Sequence, residues 1–377
     1  MSASPADPFD FRVDPDIRRA HTLPGRAYTD PAVFERARER VFRRSWQWIA
    51  DAGAVSVPGQ VHPFTLLEGL LDEPLLLTRD REDRTHCLSN VCTHRGTLLC
   101  EGAGVQQLMR CRYHGRRFAL DGRCLSMPEF EDVEGFPAPS DDLPHTALAS
   151  WQRLLFAALD PATPFDALIA PVEARCGFLP LERAALDPAR SRDYLVHANW
   201  ALYCDNYLEG LHIPYVHAAL ADAVDYGAYR TELFAHANLQ VGIAAGGEEA
   251  FALPPGHADE GQAVAAYWWW LWPNTMLNFY PWGLSINVVK PLAVDRTRIS
   301  YFVYVWDPSR LSRGAGAALD RVEREDEAIV ESVQRGTASR LYDRGRYSPA
   351  REQGVHHFHR LLAGALRGGG EPRRPTP

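Results

Sequence analysis

Two segments in the first third of the 377-residue chain each join a thiol to an imidazole: Cys92-Thr-His94 and Cys111-Arg-Tyr-His114, with sixteen residues between them. A zinc finger pairs like with like, Cys-x-x-Cys and then His-x-His, because each pair must grip one ion. Mixed pairs suit two adjacent metals, with each loop placing its Cys on one and its His on the other. A 2Fe–2S cluster with two thiolates on one iron and two imidazoles on the other is such a site, and its His ligands raise its potential far above that of an all-Cys cluster. Gly96 and Gly115 each stand four residues after their Cys, where a tight turn presenting backbone N–H groups to sulfur needs a residue without Cβ. A structural zinc site is the competing reading. The remaining cysteines, Cys87, Cys100, Cys124, Cys176 and Cys204, fit no second motif and read as buried thiols.

Cys92-Thr-His94-Arg-Gly and Cys111-Arg-Tyr-His114-Gly together resemble the Rieske domain of ring-hydroxylating and related oxygenase alpha subunits. This match alone also allows a ferredoxin or a respiratory Rieske subunit, so the rest of the chain must decide. There, the stretch Asn199–His217 resembles the acidic-x-x-His-x-x-x-x-His segment of the same oxygenases. The resemblance implies that His212 and His217, with one carboxylate, bind a single Fe(II) on one face and leave neighbouring positions open for O2 and substrate. On an ideal helix, residues five apart are about 140° out of line. Pro214 lies between the two histidines, lacks an N–H and clashes with the carbonyl of Gly210. A break or π-type bulge at Ile213–Tyr215 is therefore expected, swinging His217 back. Two ordinary core histidines are the bland alternative.

The third donor must come from elsewhere. Leu319, Val322, Ile329, Val330 and Val333 form the apolar stripe of a long helical segment, and Asp326 falls on that stripe. A buried unpaired carboxylate costs several kcal/mol, so Asp326 should have a cation or a strong donor. Glu325 and Glu327 sit about 100° to either side and read as solvated; Glu323, at the stripe's edge, is the runner-up ligand. Glu323–Gln334 also resembles the family's C-terminal ligand segment, with Asp326 at the ligand position.

Glu209 precedes His212 by three residues, so on a helix the two are neighbours. The resemblance implies that it bridges a His ligand of one protomer's cluster to a His ligand of the next protomer's iron, and hence a head-to-tail homotrimer, a closed heterologous ring. A surface charge is the bland alternative. No G-x-G-x-x-G follows a predicted strand, so electrons are expected from a separate NAD(P)H-dependent reductase carrying flavin and iron–sulfur. Three stretches look most like the choline, carnitine and glycine betaine type of monooxygenase: Cys204–His217, Glu325–Gly336, and Gly345–Ser348 through His356–Arg360. Those enzymes hydroxylate a carbon next to or near a quaternary nitrogen. Arg116-Arg117, where many members carry Trp after the His-Gly, is a departure. The run Tyr267–Trp272 with Phe279–Trp282 offers an aromatic cage for such a cation, or simply strand packing. A flat aromatic substrate suits the same residues. His356, His357 and His359 are expected in a structural or supporting role. Aromatic-ring dioxygenation is the alternative within the class. Outside it stand a non-catalytic Rieske carrier with a ligand-binding domain and a zinc-stabilised binding protein.

These sites need a scaffold, and the pattern supplies one. Asp30-Pro31 reads as an N-cap and first helical residue, followed by a stripe of Val33, Phe34, Ala37, Val41 and Phe42 reaching Trp46. From Trp48 to Leu155 short apolar runs (Phe64–Leu67, Leu75–Thr78, Leu88–Val91) alternate with turn residues. Beyond come a helix around Asn199–His212, strands at Tyr267–Leu271, Met276–Tyr280, Leu284–Val289 and Arg298–Val305, and a helix from about Ala317 to Leu341. The expected class is α+β: a small β-rich Rieske domain over 47–158 and a larger helix-grip-like catalytic domain with an antiparallel sheet over 159–366. Residues 1–46 form a helical segment packing on the latter, and 367–377 a disordered tail. A net charge of −8 argues against a nucleic-acid surface. The longest apolar stretch, Tyr267–Val289, is interrupted by Pro273, Asn274, Asn278 and Pro281, which spoils it as a membrane span. Met1–Phe11 carries no signal-peptide pattern, so a reducing cytoplasm is the expected compartment.

Overall fold

In the computed structural model residues 7–367 are described, except 312 and 318. The described chain divides into two units, residues 43–162 and the combination of residues 7–42 with 163–367.

The smaller unit is built of short antiparallel strands. Thr85–Ser89, Glu73–Arg79, Gln60–Leu66 and Gly104–Val105 lie side by side in that order. Alternation along Glu73–Arg79 sends successive residues to opposite faces. Leu75 and Leu77 pack with Val55, Leu66, Cys87 and Leu155. Leu76 packs with Val61, Leu88, Met109 and Phe118, and Cys92 and Cys111 belong to that same core. Met109–Arg110, Arg117–Phe118 and Cys124–Ser126 form a second small sheet, and Gln47–Asp51, Leu154–Ala158 and Ala147–Trp151 a third.

The larger unit is organised on an eight-stranded antiparallel sheet. Its order is Ala185–Leu186, Arg296–Val305, Gly283–Ala293, Thr275–Tyr280, Val264–Leu271, Ala237–Ile243 and Arg230–Phe234, with Arg192–Val196 also paired to Arg296–Val305. The expected strands fall inside these. Every residue of Val264–Leu271 is buried, because helices cover both faces. Trp269 donates its indole N–H to Cys176 on the helix Phe165–Cys176, while Trp270 packs edge-on against Phe358 of the helix Gln353–Arg367.

Several helix expectations need correction. The helix begun by Asp30, whose side chain accepts the Ala32 N–H, stops at Arg40 rather than reaching Trp46. The helix expected over Asn199–His212 is confined to Trp200–Tyr207, with Asn199 as its cap. Gly354 packs on the carbonyl of Leu208, the residue that closes this helix, where a Cβ would stand 2.3 Å from the oxygen. The long helix spans Leu319–Thr337. Its buried line is Glu323, Val330 and Thr337, whereas Ile329 and Val333 are exposed. The apolar stripe misplaced this face because polar residues carry part of it. The expected tail beyond Arg367 lies outside the described residues.

Candidate metal centres and the cavity beside them

The two Cys–His loops of the smaller unit are built alike. The Cys92 N–H donates to the Thr97 carbonyl and the Gly96 N–H to the Cys92 carbonyl; Cys111 and Arg116, then Gly115 and Cys111, repeat both bonds. Gly96 and Gly115 take φ of +75° and +76°, a conformation side chains resist. These matched turns bring the rings of His94 and His114 to 4.9 Å between centroids and bury both cysteines. Burial raises the Cys111 thiol, but hydrogen bonds from the Tyr113 and His114 amides, Cys92 and Thr97 together outweigh it and hold its pKa below the usual value. Burial raises that of Cys92. Burial, and then the neighbouring His114, Arg95 and Arg116, hold His94 low, in the neutral form that binds metal. His114 Nδ1 is buried with no hydrogen-bond partner among the described residues, an orphan that a metal would satisfy. The donor set thus suits a diiron cluster.

Arg116, noted in the sequence as unusual, lies beneath this site. It is 3% exposed, donates to Thr93 Oγ1 at 2.8 Å and to Asp141 Oδ1 at 2.9 Å, and lies over the Phe136 ring. Arg117 is exposed.

In the larger unit, His212, His217 and Asp326 offer three ligand atoms within 4.8 Å of one another. Asp326 Oδ1 stands 3.0 Å from His217 Nε2 and 3.6 Å from His212 Nε2. The π-type bulge expected at Ile213–Tyr215 is not what aligns the histidines. The chain leaves its helix at Leu208, and Ile213–Val216 forms a fresh helical turn with Pro214 near its start, where a missing N–H costs nothing. His217 then closes that turn with φ −113° and ψ 76°, which turns the chain again.

Each imidazole is fixed from behind by a carboxylate. Glu209 Oε1 is 2.5 Å from His212 Nδ1, and Glu325 Oε2 is 2.8 Å from His217 Nδ1. With Nδ1–H donated to a carboxylate, each Nε2 keeps its lone pair for a metal. Glu209 reaches His212 from a turn rather than along a helix, and its other oxygen accepts the N–H groups of Leu211 and His212. Glu325, expected in solvent, is half-buried and also accepts from Arg321 at 2.9 Å. Its Arg321 partner, four residues away, is the pattern of an exposed ion pair, so nothing local marked its second role. Burial lowers the pKa of His217, but Asp326 and Glu325 outweigh that and raise it.

Glu323 is not part of this triad. It is 3% exposed and accepts from the hydroxyls of Tyr203, at 2.7 Å, and Tyr301. Burial pushes it up to about 8. The three C-terminal histidines also stand apart. His359 bridges Asp205, Tyr28 and Tyr347, His357 contacts Asn238, and His356 contacts the Asp14 carbonyl.

A cavity of about 100 Å³, continuous with solvent, adjoins the triad. Its floor is a row across the sheet: Gln240 opposite Trp268, Trp268 opposite Asn278, and Asn278 opposite Ser285. Tyr207, Tyr229 and Tyr280 also line it. Trp268 and Tyr280 face the cavity; strand alternation turns Trp269 and Phe279 to the opposite face, while Trp270, on the same face as Trp268, packs beyond the cavity against Phe358.

Known proteins share this arrangement. Residues 45–137 match the Rieske [2Fe-2S] domain, and residues 183–368 the ring hydroxylating alpha subunit catalytic domain. The chain is 30% identical to the chloroplastic choline monooxygenase of Arabidopsis thaliana, over 93% of this chain and 84% of that protein. It is likewise 30% identical to the carnitine monooxygenase oxygenase subunit of Escherichia coli K12, over 94% and 96%. The crystal structure of the quaternary ammonium Rieske monooxygenase CntA in complex with L-carnitine superposes with a TM-score of 0.74 at 25% identity, covering 96% of this chain and 99% of that one. The chain belongs to the Rieske oxygenases: it is an oxygenase component, an oxidoreductase that combines a Rieske 2Fe–2S cluster with a mononuclear iron. That membership sets aside the electron-carrier and zinc readings.

Proposed function

We propose that this oxygenase hydroxylates a carbon beside or near the nitrogen of a small quaternary ammonium compound. The observation that carries this reading is the cavity wall, where Tyr207, Tyr229, Trp268 and Tyr280 stand next to His212, His217 and Asp326. Aromatic faces attract a cation that has no N–H to donate, by about 0.5–2 kcal/mol each. The choline and carnitine monooxygenases to which the chain is similar support the same class of substrate.

In this reading Cys92 and Cys111 hold one iron of the cluster and His94 and His114 the other, while His212, His217 and Asp326 hold the single iron. When bound, that iron activates O2: with two electrons and two protons, one oxygen atom enters a C–H bond and the other leaves as water. The protein's part is positional. Glu209 and Glu325 set the imidazole tautomers, and the sheet row holds the substrate against the open side of the triad. Glu209 also carries the electron path from the cluster of a neighbouring protomer in a head-to-tail trimer, and a separate NAD(P)H-dependent reductase feeds the cluster. The enzyme works in the cytoplasm; none of its described helices is long and apolar enough to cross a membrane. N-demethylation is the same chemistry when the hydroxylated carbon sits on nitrogen.

The test is substrate-dependent oxidation of the dithionite-reduced protein by O2, screened over betaines, carnitine, choline and simple aromatics. Response to a quaternary ammonium compound supports the proposal. Response to aromatics alone, with a cis-diol product, replaces it with ring dioxygenation.

A further inference from the structure

The two Cys–His loops share one buried charge. Arg116 joins them: its carbonyl accepts the Cys111 N–H of one loop, and its guanidinium donates to Thr93 Oγ1, between Cys92 and His94 in the other. The guanidinium carbon lies 5.0 Å from the centre of the Phe136 ring and 5.8 Å from that of Phe130, and the Phe130 ring stands edge-on to His94. The charge is thus held against both loops by hydrogen bonds and rings.

The ion pair with Asp141 does not cancel this charge at the site. The Arg116 side chain is 3% exposed and that of Asp141 24%. Water screens the outer charge more than the inner one. Asp141 meets Arg116 through one oxygen, while its other oxygen accepts the Ala138 N–H. Arg116 Nε is buried and has no hydrogen-bond partner among the described residues. A positive charge therefore remains beside the loops. Its field reaches both kinds of ligand. Burial raises the Cys92 thiol, and Arg116 opposes that rise; at His94, Arg116 adds to the lowering that burial leads.

Reduction of a 2Fe–2S cluster by one electron adds one negative charge to it. A fixed positive charge nearby favours the reduced form, and net charge is among the quantities that set such potentials. We propose that Arg116 sets the reduction potential of the cluster: its buried charge favours the state that has taken an electron from the reductase. This rests on Cys92, His94, Cys111 and His114 being the cluster ligands. Uptake of the electron becomes easier, and its passage onward to the mononuclear iron has correspondingly less driving force.

The experiment is a mediated redox titration of purified holoprotein at one fixed pH, followed by the electron-resonance signal of the reduced cluster. It compares wild type with Arg116→Gln, Arg116→Lys and Asp141→Asn. Arg116→Gln removes the charge and is expected to shift the one-electron equilibrium toward the oxidised form by about tenfold or more, which is a potential lower by about 59 mV or more. Arg116→Lys keeps the charge and loses the planar fork, and is expected to stay within about threefold of wild type. Asp141→Asn removes the compensating charge and is expected to shift the equilibrium about threefold or more the other way. A purely structural role for the pair gives no such reversal of sign. A Gln variant within about twofold of wild type, or a Lys variant shifted as far as the Gln variant, overturns the proposal. If Arg116→Gln does not retain the cluster, Asp141→Asn decides: a raised potential supports the proposal, and an unchanged or lowered one overturns it. A wild-type protein without the Rieske signal overturns the ligand assignment as well.

Discussion

Replacing Glu209 by Gln removes one charge from behind His212 and changes almost no volume. The carboxylate there serves three donors: the Nδ1–H of His212 at 2.5 Å and the backbone N–H groups of Leu211 and His212. A carboxamide has one oxygen. If that oxygen keeps the backbone N–H groups, the NH2 faces Nδ1–H donor to donor. If it turns to Nδ1–H, the NH2 faces the two backbone donors. Either way at least one charge-assisted bond, worth roughly 1.5–3 kcal/mol, is lost and the survivors become neutral bonds of roughly 0.5–1.5 kcal/mol. The net loss is about 1–3 kcal/mol, which is roughly 5- to 150-fold in equilibrium terms. That range brackets the 10–100-fold typical of losing a carboxylate behind a metal-bound His. Calorimetric titration of iron-depleted protein with Fe(II) measures it, with the cluster spectrum as an internal control. At saturating Fe(II), oxidation of the reduced cluster by substrate and O2 should still be blocked, because the electron path proposed through Glu209 is separate from its hold on His212. Fe(II) affinity equal to wild type would refute the reasoning about His212, and normal turnover would remove Glu209 from the electron path.

Other substitutions separate the remaining parts. Glu325→Ala should weaken Fe(II) binding by roughly 10–100-fold, measured in the same titration, because it frees His217 Nδ1; an unchanged affinity would return Glu325 to a purely solvated role. Cys111→Ser should abolish the cluster's electron-resonance signal and lower iron content from about three per chain to about one, read by metal analysis. Asp259 is 1% exposed and accepts from Arg175, Arg230 and Tyr267. Asp259→Asn should destabilise the larger unit by roughly 3 kcal/mol, the low end for breaking a buried ion pair, since Arg175 keeps Glu232. Burial raises the Asp259 carboxyl, but Tyr267 and the two arginines outweigh this and leave its pKa lowered. Its stabilisation is therefore complete above the ordinary carboxylate range near pH 4 and is lost as pH falls through the depressed folded value. Thermal melts between about pH 2 and 6 should show wild type losing its advantage over the variant only at the acid end.

The cluster loops were legible because their physics is local. Each closes through bonds spanning four and five residues, and each needs its Gly at one fixed offset from its Cys. The strands of the large sheet were legible too, since a run buried on both faces leaves an unbroken apolar mark. The residues around the second metal site were harder. Pro214 suggested a break at itself, but a proline opens a helical turn as readily as it ends one, and the helix ends upstream at Tyr207 with Pro214 inside the next turn. Helical period placed Asp326 well and Glu325 poorly, because the partner of Glu325 is more than a hundred residues away in sequence. Glu323 was placed only at the edge of the apolar stripe, although it is among the most buried residues of its helix. Residue type and spacing record what a segment does with its own backbone. Which distant carboxylate meets which imidazole, and which acid is buried against tyrosine hydroxyls, depends on long-range packing that no local period encodes.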